Sequence, residues 1–269
     1  MSTAGTINEA LTRISAGGGK LRYVSATALS FKPYMGSTIK INGALYEIPA
    51  TGMVGLANTG VYVNGVAGQT LVANTLYYVY AFMNGAVLTA DFSTTGHGTS
   101  TAAANVGTEI KTGDETRSLV GMVMMGGGAG SFYSEIRYRY VISWFNRGDI
   151  SLLGNHVSMQ QASVMSPYDL VNNTIAFCTW GDEAVNLNVN GWMANNSVSY
   201  CHLTARWDGT TWMASIQNYD LHNIVNYLMT EGQAEANTLS EGYHTFTPTV
   251  WVGGGLGDFY MWVGAMIRG

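Results

Sequence analysis

Five dipeptides constrain this chain more than any other feature: Asn42-Gly43, Asn64-Gly65, Asn84-Gly85, Asn190-Gly191 and Asp208-Gly209. Asn-Gly and Asp-Gly supply the two positive φ angles of a type I′ turn, whose twist matches the strands of a hairpin. The flanks agree. Thr38-Ile39-Lys40-Ile41 precedes the first pair and Tyr77-Tyr78-Val79-Tyr80-Ala81-Phe82 the third, while Thr211-Trp212-Met213-Ala214 follows the last. β-branched and aromatic runs beside such turns predict hairpins. With 34 glycines against 4 prolines, the chain reads as strands joined by tight turns. The polar, small-residue stretch from Ser93 to Asn105 reads as a surface loop.

A helix is written only at the start. Thr6 and Glu9 form a Thr-x-x-Glu capping box. Ile7, Ala10, Leu11 and Ile14 then share one helical face. Glu9 lies four residues before Arg13, the favourable order for a helix pair, and Gly17, Gly18 and Gly19 stop the helix. About ten residues are too few to be helical alone. The face built from Ile7, Leu11 and Ile14 therefore has to pack on its own domain, on sister subunits or on a larger assembly. Residues 1–20 are taken as an attachment segment.

Two later stretches echo each other. Residues 126–133 read GGGAGSFY and residues 253–260 read GGGLGDFY. Each follows an apolar run, and each leads to an Arg-Gly pair, at Arg147-Gly148 and Arg268-Gly269. The echo predicts two domains that each end in a glycine-loop hairpin. The boundary falls at Asn146–Asp149. Residues 21–147 form the first β-domain, and residues 148–269 form a second β-sandwich of jelly-roll type. The fold class expected is all-β, two sandwich or jelly-roll-like domains with one short N-terminal helix.

Charge divides along the same line. Residues 1–148 carry 10 Lys and Arg against 7 Asp and Glu, whereas residues 149–269 carry 2 against 10. An acidic distal half repels phosphates, so no nucleic-acid partner is expected. Only 11% of residues are charged, against about 25% in ordinary soluble domains. A surface so poor in charge suits extensive subunit contacts. No apolar run approaches the roughly 18–20 residues that span a bilayer, and the start lacks the basic and apolar stretches of a signal peptide. Neither membrane insertion nor secretion is expected.

Catalytic and cofactor motifs are absent. The triglycine loops match neither the P-loop nor the dinucleotide fingerprint. His97, His156, His202, His222 and His244 form no close ligand pair, so no metal is expected. Gly-x-Ser-x-Gly does not occur. The expectation is a protein without catalytic residues or cofactors. Six of the seven tryptophans lie in the second half, and Trp207 and Trp212 flank Asp208-Gly209. Sugar rings stack their apolar faces on exposed aromatics beside amide and carboxylate groups. Trp192, Trp207, Asp208, Trp212, Asn195 and Asn196 are the candidate glycan- or receptor-binding residues. Against this stands tryptophan's general use as core filling.

The stretch from Leu21 to Arg147 resembles a domain that recurs in phage and prophage fibre-type proteins. The resemblance is carried by LRYVSATALSFKPY, KINGALYEIP, GLANTGVYVNGVAG, LYYVYAFMNGAVLTADFSTTGH, VGTEIKTGDETRSLVGMV and the closing SWFNRG. The end, from Glu241-Gly242-Tyr243-His244 to Met266-Ile267-Arg268-Gly269, resembles the last strands of phage fibre heads with a trimeric jelly roll. The resemblance implies a structural virion protein, a head or tail fibre or spike subunit, that assembles as a homotrimer in the host cytoplasm. It also implies a distal binding face; the capped helix adds attachment to other virion proteins through the N-terminus, and the tryptophan-rich half adds a host surface glycan as the far-end ligand. In a reducing cytoplasm Cys178 and Cys201 would be free thiols. Two rivals stand beside this reading: a capsid decoration protein that binds no receptor, and a glycan depolymerase on a fibre scaffold. The apolar final strand, Phe259 to Met266, is the candidate trimer seam.

Overall fold

The computed structural model describes residues 17–127, 130–155, 157–162, 167–195, 199–209, 211–212, 216–220, 234–236 and 239–268. The helical attachment segment, with Ile7, Leu11 and Ile14, lies outside them, as do Asn196 and the C-terminal glycine. The described residues form an all-β protein. They divide into two compact units, one built from residues up to Ser134 with Tyr140–Arg147, the other from Glu135–Arg139 with the residues from Gly148 onward.

The first unit begins with two hairpins, β1 (Lys20–Ser25) with β2 (Ala28–Lys32), and β3 (Thr38–Ile41) with β4 (Ala44–Glu47). A larger sheet follows: β5 (Thr59–Val63), β6 (Val66–Thr70), β7 (Leu76–Asn84), β8 (Val87–Ser93), β9 (His97–Thr99), β10 (Glu109–Lys111) and β11 (Asp114–Met124). Its order is β6-β5-β8-β7-β11-β10-β9, with β14 (Val141–Ser143) paired to β11. Alternation places one side chain in two on each face. Leu21, Leu29 and Phe31 of the first hairpin and Ile39 and Ile41 of the second join Val79, Ala81, Ala90, Phe92 and Val120 of the sheet in one core. Each large side chain so buried contributes about 1.5–3 kcal/mol.

The second unit is a sandwich. One layer holds β12 (Ser134–Glu135), β13 (Tyr138–Arg139), β17 (Tyr168–Asp169), β18 (Ile175–Thr179), β20 (Ser199–Trp207), β21 (Thr211–Trp212), β22 (Ile216–Asp220) and β24 (Gly242–Val252). The other holds β15 (Ile150–Leu153), β16 (Val157–Ala162), β19 (Ala184–Asn195), β23 (Ala234–Ala236) and β25 (Leu256–Arg268). Phe177, Leu203, Phe246 and Val250 of the first layer meet Leu187, Phe259, Met261, Val263 and Ile267 of the second in one core.

Three expectations are corrected. The second glycine loop does not close a hairpin: Gly253–Gly255 carries the chain from β24 in one layer to β25 in the other. The last strand is not an open sheet edge: β25 is hydrogen-bonded to β15 and β16 on one side and to β19 on the other. Its apolarity has a local cause, because Phe259, Met261, Val263 and Ile267 fill the sandwich. Finally, the stretch from Ser93 to Asn105 is no mere surface loop. It contains β9, and Ser100 and Asn105 are buried, donating to the Glu115 carboxylate at 2.7 Å and 2.6 Å.

Cys178 and Cys201 are buried and not joined in a disulfide. Along β24 they pair with Tyr243 and Val252. Nine residues of strand separate those partners by roughly 30 Å, far beyond disulfide reach.

Candidate functional site

Two of the residues grouped by the sequence, Trp207 and Asn195, are buried. Trp207 is 9% exposed. Its ring meets Phe177 at 6.0 Å, Phe246 at 5.6 Å and His244 at 6.3 Å, so it is a core residue. Asn195 is also buried, and its Nδ2 donates to the Gly254 carbonyl at 2.9 Å, bracing the passage between layers. Asp208 sits at the β20–β21 turn with φ 46°. Its carboxylate accepts from the Thr245 amide at 2.7 Å and pairs with His244 Nδ1 at 2.9 Å, tying the turn to β24. Register places Trp192 across from Tyr260, and Trp212 across from Arg206.

The outer face of the second layer is the better candidate. On β25 the even positions turn away from the core. Tyr260 and Trp262 meet edge to face at 5.0 Å, and Trp262 and Met266 are each 39% exposed. Cross-strand partners share a face, so Leu153 and Ser151 of β15 lie beside Gly264 and Met266, and Asn188 and Asn186 of β19 lie on their other side. Leu153 is 47% exposed. The Asn188 amide lies over Gly264, where a Cβ would come within 2.7 Å of Oδ1. The result is an apolar and aromatic strip flanked by amides on a rigid sheet. Such a strip can stack on a sugar ring and hydrogen-bond its hydroxyls. Sequence reasoning missed it because β25 is apolar on both faces, which hides the alternation. The signal lay on β19, where Val185-Asn186-Leu187-Asn188 alternates apolar and polar.

The charged centres are structural. In the first unit Asp91 is fully buried and accepts from Arg117 Nε at 2.6 Å and the Gly65 amide at 2.9 Å, with Lys111 Nζ 3.8 Å away. In the second, Glu183 binds Arg139 through two bonds of 2.9 Å. Among the described residues no group of three or more His, Cys, Asp or Glu could hold a metal ion.

His202 stacks on Trp251 with centroids 4.1 Å apart and rings within 10° of parallel. Burial pushes its imidazole below the ordinary 6.5. A depressed histidine pKa stabilises the fold above the unfolded value and loses that contribution as pH falls through it. Wild-type protein is therefore expected to lose more thermal stability between pH 7.5 and pH 5.5 than a His202→Phe variant. Equal losses in calorimetry would refute the assignment.

No family model matches the chain, and no curated protein matches it. Among solved structures it is similar to that of infectious bursal disease virus Gx strain, at 10% identity and TM-score 0.33, over 94% of this chain and 68% of that one. It is also similar to infectious bursal disease virus Gt strain, at 10% identity and TM-score 0.36, over 94% of this chain and 54% of that one. A third similarity is to the insecticidal delta-endotoxin Cry8Ea1 from Bacillus thuringiensis, at 10% identity and TM-score 0.25, over 93% of this chain and 51% of that one. The overlap is partial at these scores.

Proposed function

We propose that this chain is a structural subunit of a bacteriophage particle, a head or tail fibre or spike that attaches the particle to the host surface. The subunit assembles as a homotrimer in the host cytoplasm. Its N-terminal segment, with Ile7, Leu11 and Ile14, joins the particle, and its second unit faces the host. The observation that carries the reading is the strip of Tyr260, Trp262 and Met266 between Leu153 and the Asn186 and Asn188 amides. It is a binding surface backed by a fully packed core. The resemblance of residues 21–147 to phage fibre-type proteins points to the particle.

Two measurements test it together. Light scattering on the purified chain should give three times the monomer mass, and labelled protein should bind host cells. Trp262→Ala removes a ring that is partly exposed and packs edge to face on Tyr260, so stability should fall by about 1–2 kcal/mol, while the fold and the trimer persist and cell binding falls at least tenfold. A stable monomer at micromolar concentration would sink the fibre reading. A Trp262→Ala protein that dissociates would make the strip a subunit contact instead.

A further inference from the structure

A second surface, in the first unit, is built for charge. Lys20, Arg22, Val24, Ser30, Lys32, Pro33 and Tyr34 line a cleft of about 380 Å³ on the outer side of the β1–β2 hairpin. The register explains the lining. Lys20 is directly across from Lys32 and Arg22 directly across from Ser30, so all four share a face, opposite the buried Leu21, Leu29 and Phe31. Like charges directly opposed in a sheet oppose pairing. Among the described residues that line the cleft there is no carboxylate.

The cleft is also held in shape. Arg22 lies over the Tyr34 ring at 4.9 Å from its centroid, and Lys20 at 5.2 Å. A guanidinium set over an aromatic face keeps its forked N–H edge oriented, so less freedom is lost when it binds. The loop carrying Tyr34 is stapled by Asn146. Its Nδ2 donates to the carbonyls of Tyr34 at 2.9 Å, Gly19 at 2.8 Å and Gly17 at 3.2 Å.

We infer that this cleft binds an oxyanion, carboxylate or phosphate, borne by a sugar unit of an anionic polysaccharide. Arg22 and Lys32 take the oxyanion by charge-assisted hydrogen bonds, and the Ser30 hydroxyl adds a neutral donor. The volume falls in the range of small-molecule sites, about 300–1,000 Å³. That is room for the ring that carries the charge as well as the charge. Val24, Pro33 and the rim of Tyr34 meet its apolar side. The inference concerns a different unit and a different chemistry from the aromatic strip, and it stands whether or not the chain attaches a phage to its host.

The test is titration calorimetry on the intact chain with four probes: inorganic phosphate, a polyglucuronate, a phosphomannan and neutral dextran. One anionic polymer at least should bind, and which one separates carboxylate from phosphate as the source. Raising salt from 50 to 300 mM should weaken it, because the contacts are exposed and screened. Arg22→Ala with Lys32→Ala should cost at least tenfold in affinity with an unchanged far-UV spectrum. Arg22→Lys with Lys32→Arg, which keeps both charges, should lose less. Four results would overturn the inference: neither polymer binding better than dextran, binding indifferent to the double alanine variant, free phosphate binding as tightly as either polymer, or a double alanine variant whose main change is in oligomeric mass. The last would assign the cleft to an acidic surface of another copy.

Discussion

Glu183→Ala is expected to destabilise the second unit by about 3–5 kcal/mol, the cost of breaking a buried ion pair from one side. Glu183 is 5% exposed, and its oxygens accept four bonds. Arg139 gives two at 2.9 Å, the Thr179 hydroxyl one at 3.1 Å and the Trp180 amide one at 3.0 Å. Arg139 is itself 5% exposed and also donates to the Cys178 carbonyl at 3.1 Å. Removing the carboxylate strands a guanidinium in the protein interior with that single carbonyl as its remaining bonded acceptor among these groups. Glu183→Gln keeps the shape and an acceptor oxygen, and should cost less. Arg139→Met with Glu183→Leu, which removes both charges, should recover much of the loss. Urea denaturation followed by tryptophan fluorescence decides it. A Glu183→Ala protein within 1 kcal/mol of wild type would mean that the pair is solvated.

Asp91→Ala should act on the first unit by the same physics, at about 3 kcal/mol, because Arg117 keeps some solvent exposure and a second partner. That partner is Asp114, 2.8 Å from Nη1, and the guanidinium also lies 4.8 Å over the Phe82 ring. The Gly65 amide loses its acceptor as well. Since Gly65 closes the β5–β6 hairpin, the loss should reach the pairing of that edge. Hydrogen exchange offers a local readout. Amides of Thr59–Val63 and Val66–Thr70 should lose protection before those of β7 and β11. Uniform loss across the sheet would show Asp91 acting on global stability alone.

How much of this was legible in the sequence can be followed along the Asn-Gly pairs. Asn42-Gly43 and Asn64-Gly65 have both φ angles positive and close the β3–β4 and β5–β6 hairpins, as their flanks predict. Asp208-Gly209 also has both positive and turns the chain from β20 to β21, with Trp207 paired to Thr211. At the third pair the turn is displaced by one. Asn84 is still paired with Val87, and Gly85 alone takes positive φ, so the two-residue loop is Gly85-Ala86. Asn190-Gly191 makes no turn. It lies inside β19, which runs twelve residues against β25. A local turn preference is worth little against a dozen pairings along β25, and nothing within four residues of Asn190 announces that partner. Gly17–Gly19 shows a related blind spot. The triglycine reads as a helix stop, yet a Cβ on Gly18 would meet the Gly36 backbone at 2.3 Å and one on Gly19 the Phe31 ring at 2.3 Å. Close approaches of distant chain leave no periodic trace. Trp207 went to the core for the same reason: the sequence displays its turn but not Phe177 and Phe246.

The short loan of Glu135–Arg139 to the second unit fixes an order of events during synthesis. Arg139 leaves the ribosome 44 residues before Glu183, and β13 is laid down before β18, the strand it joins in parallel. By then the chain has also delivered β14, which completes the sheet of the first unit. The first unit can thus close around a loop that still waits for its partner. During that interval a charged arginine is held ready in water, and the second unit begins to fold with one strand already supplied from behind.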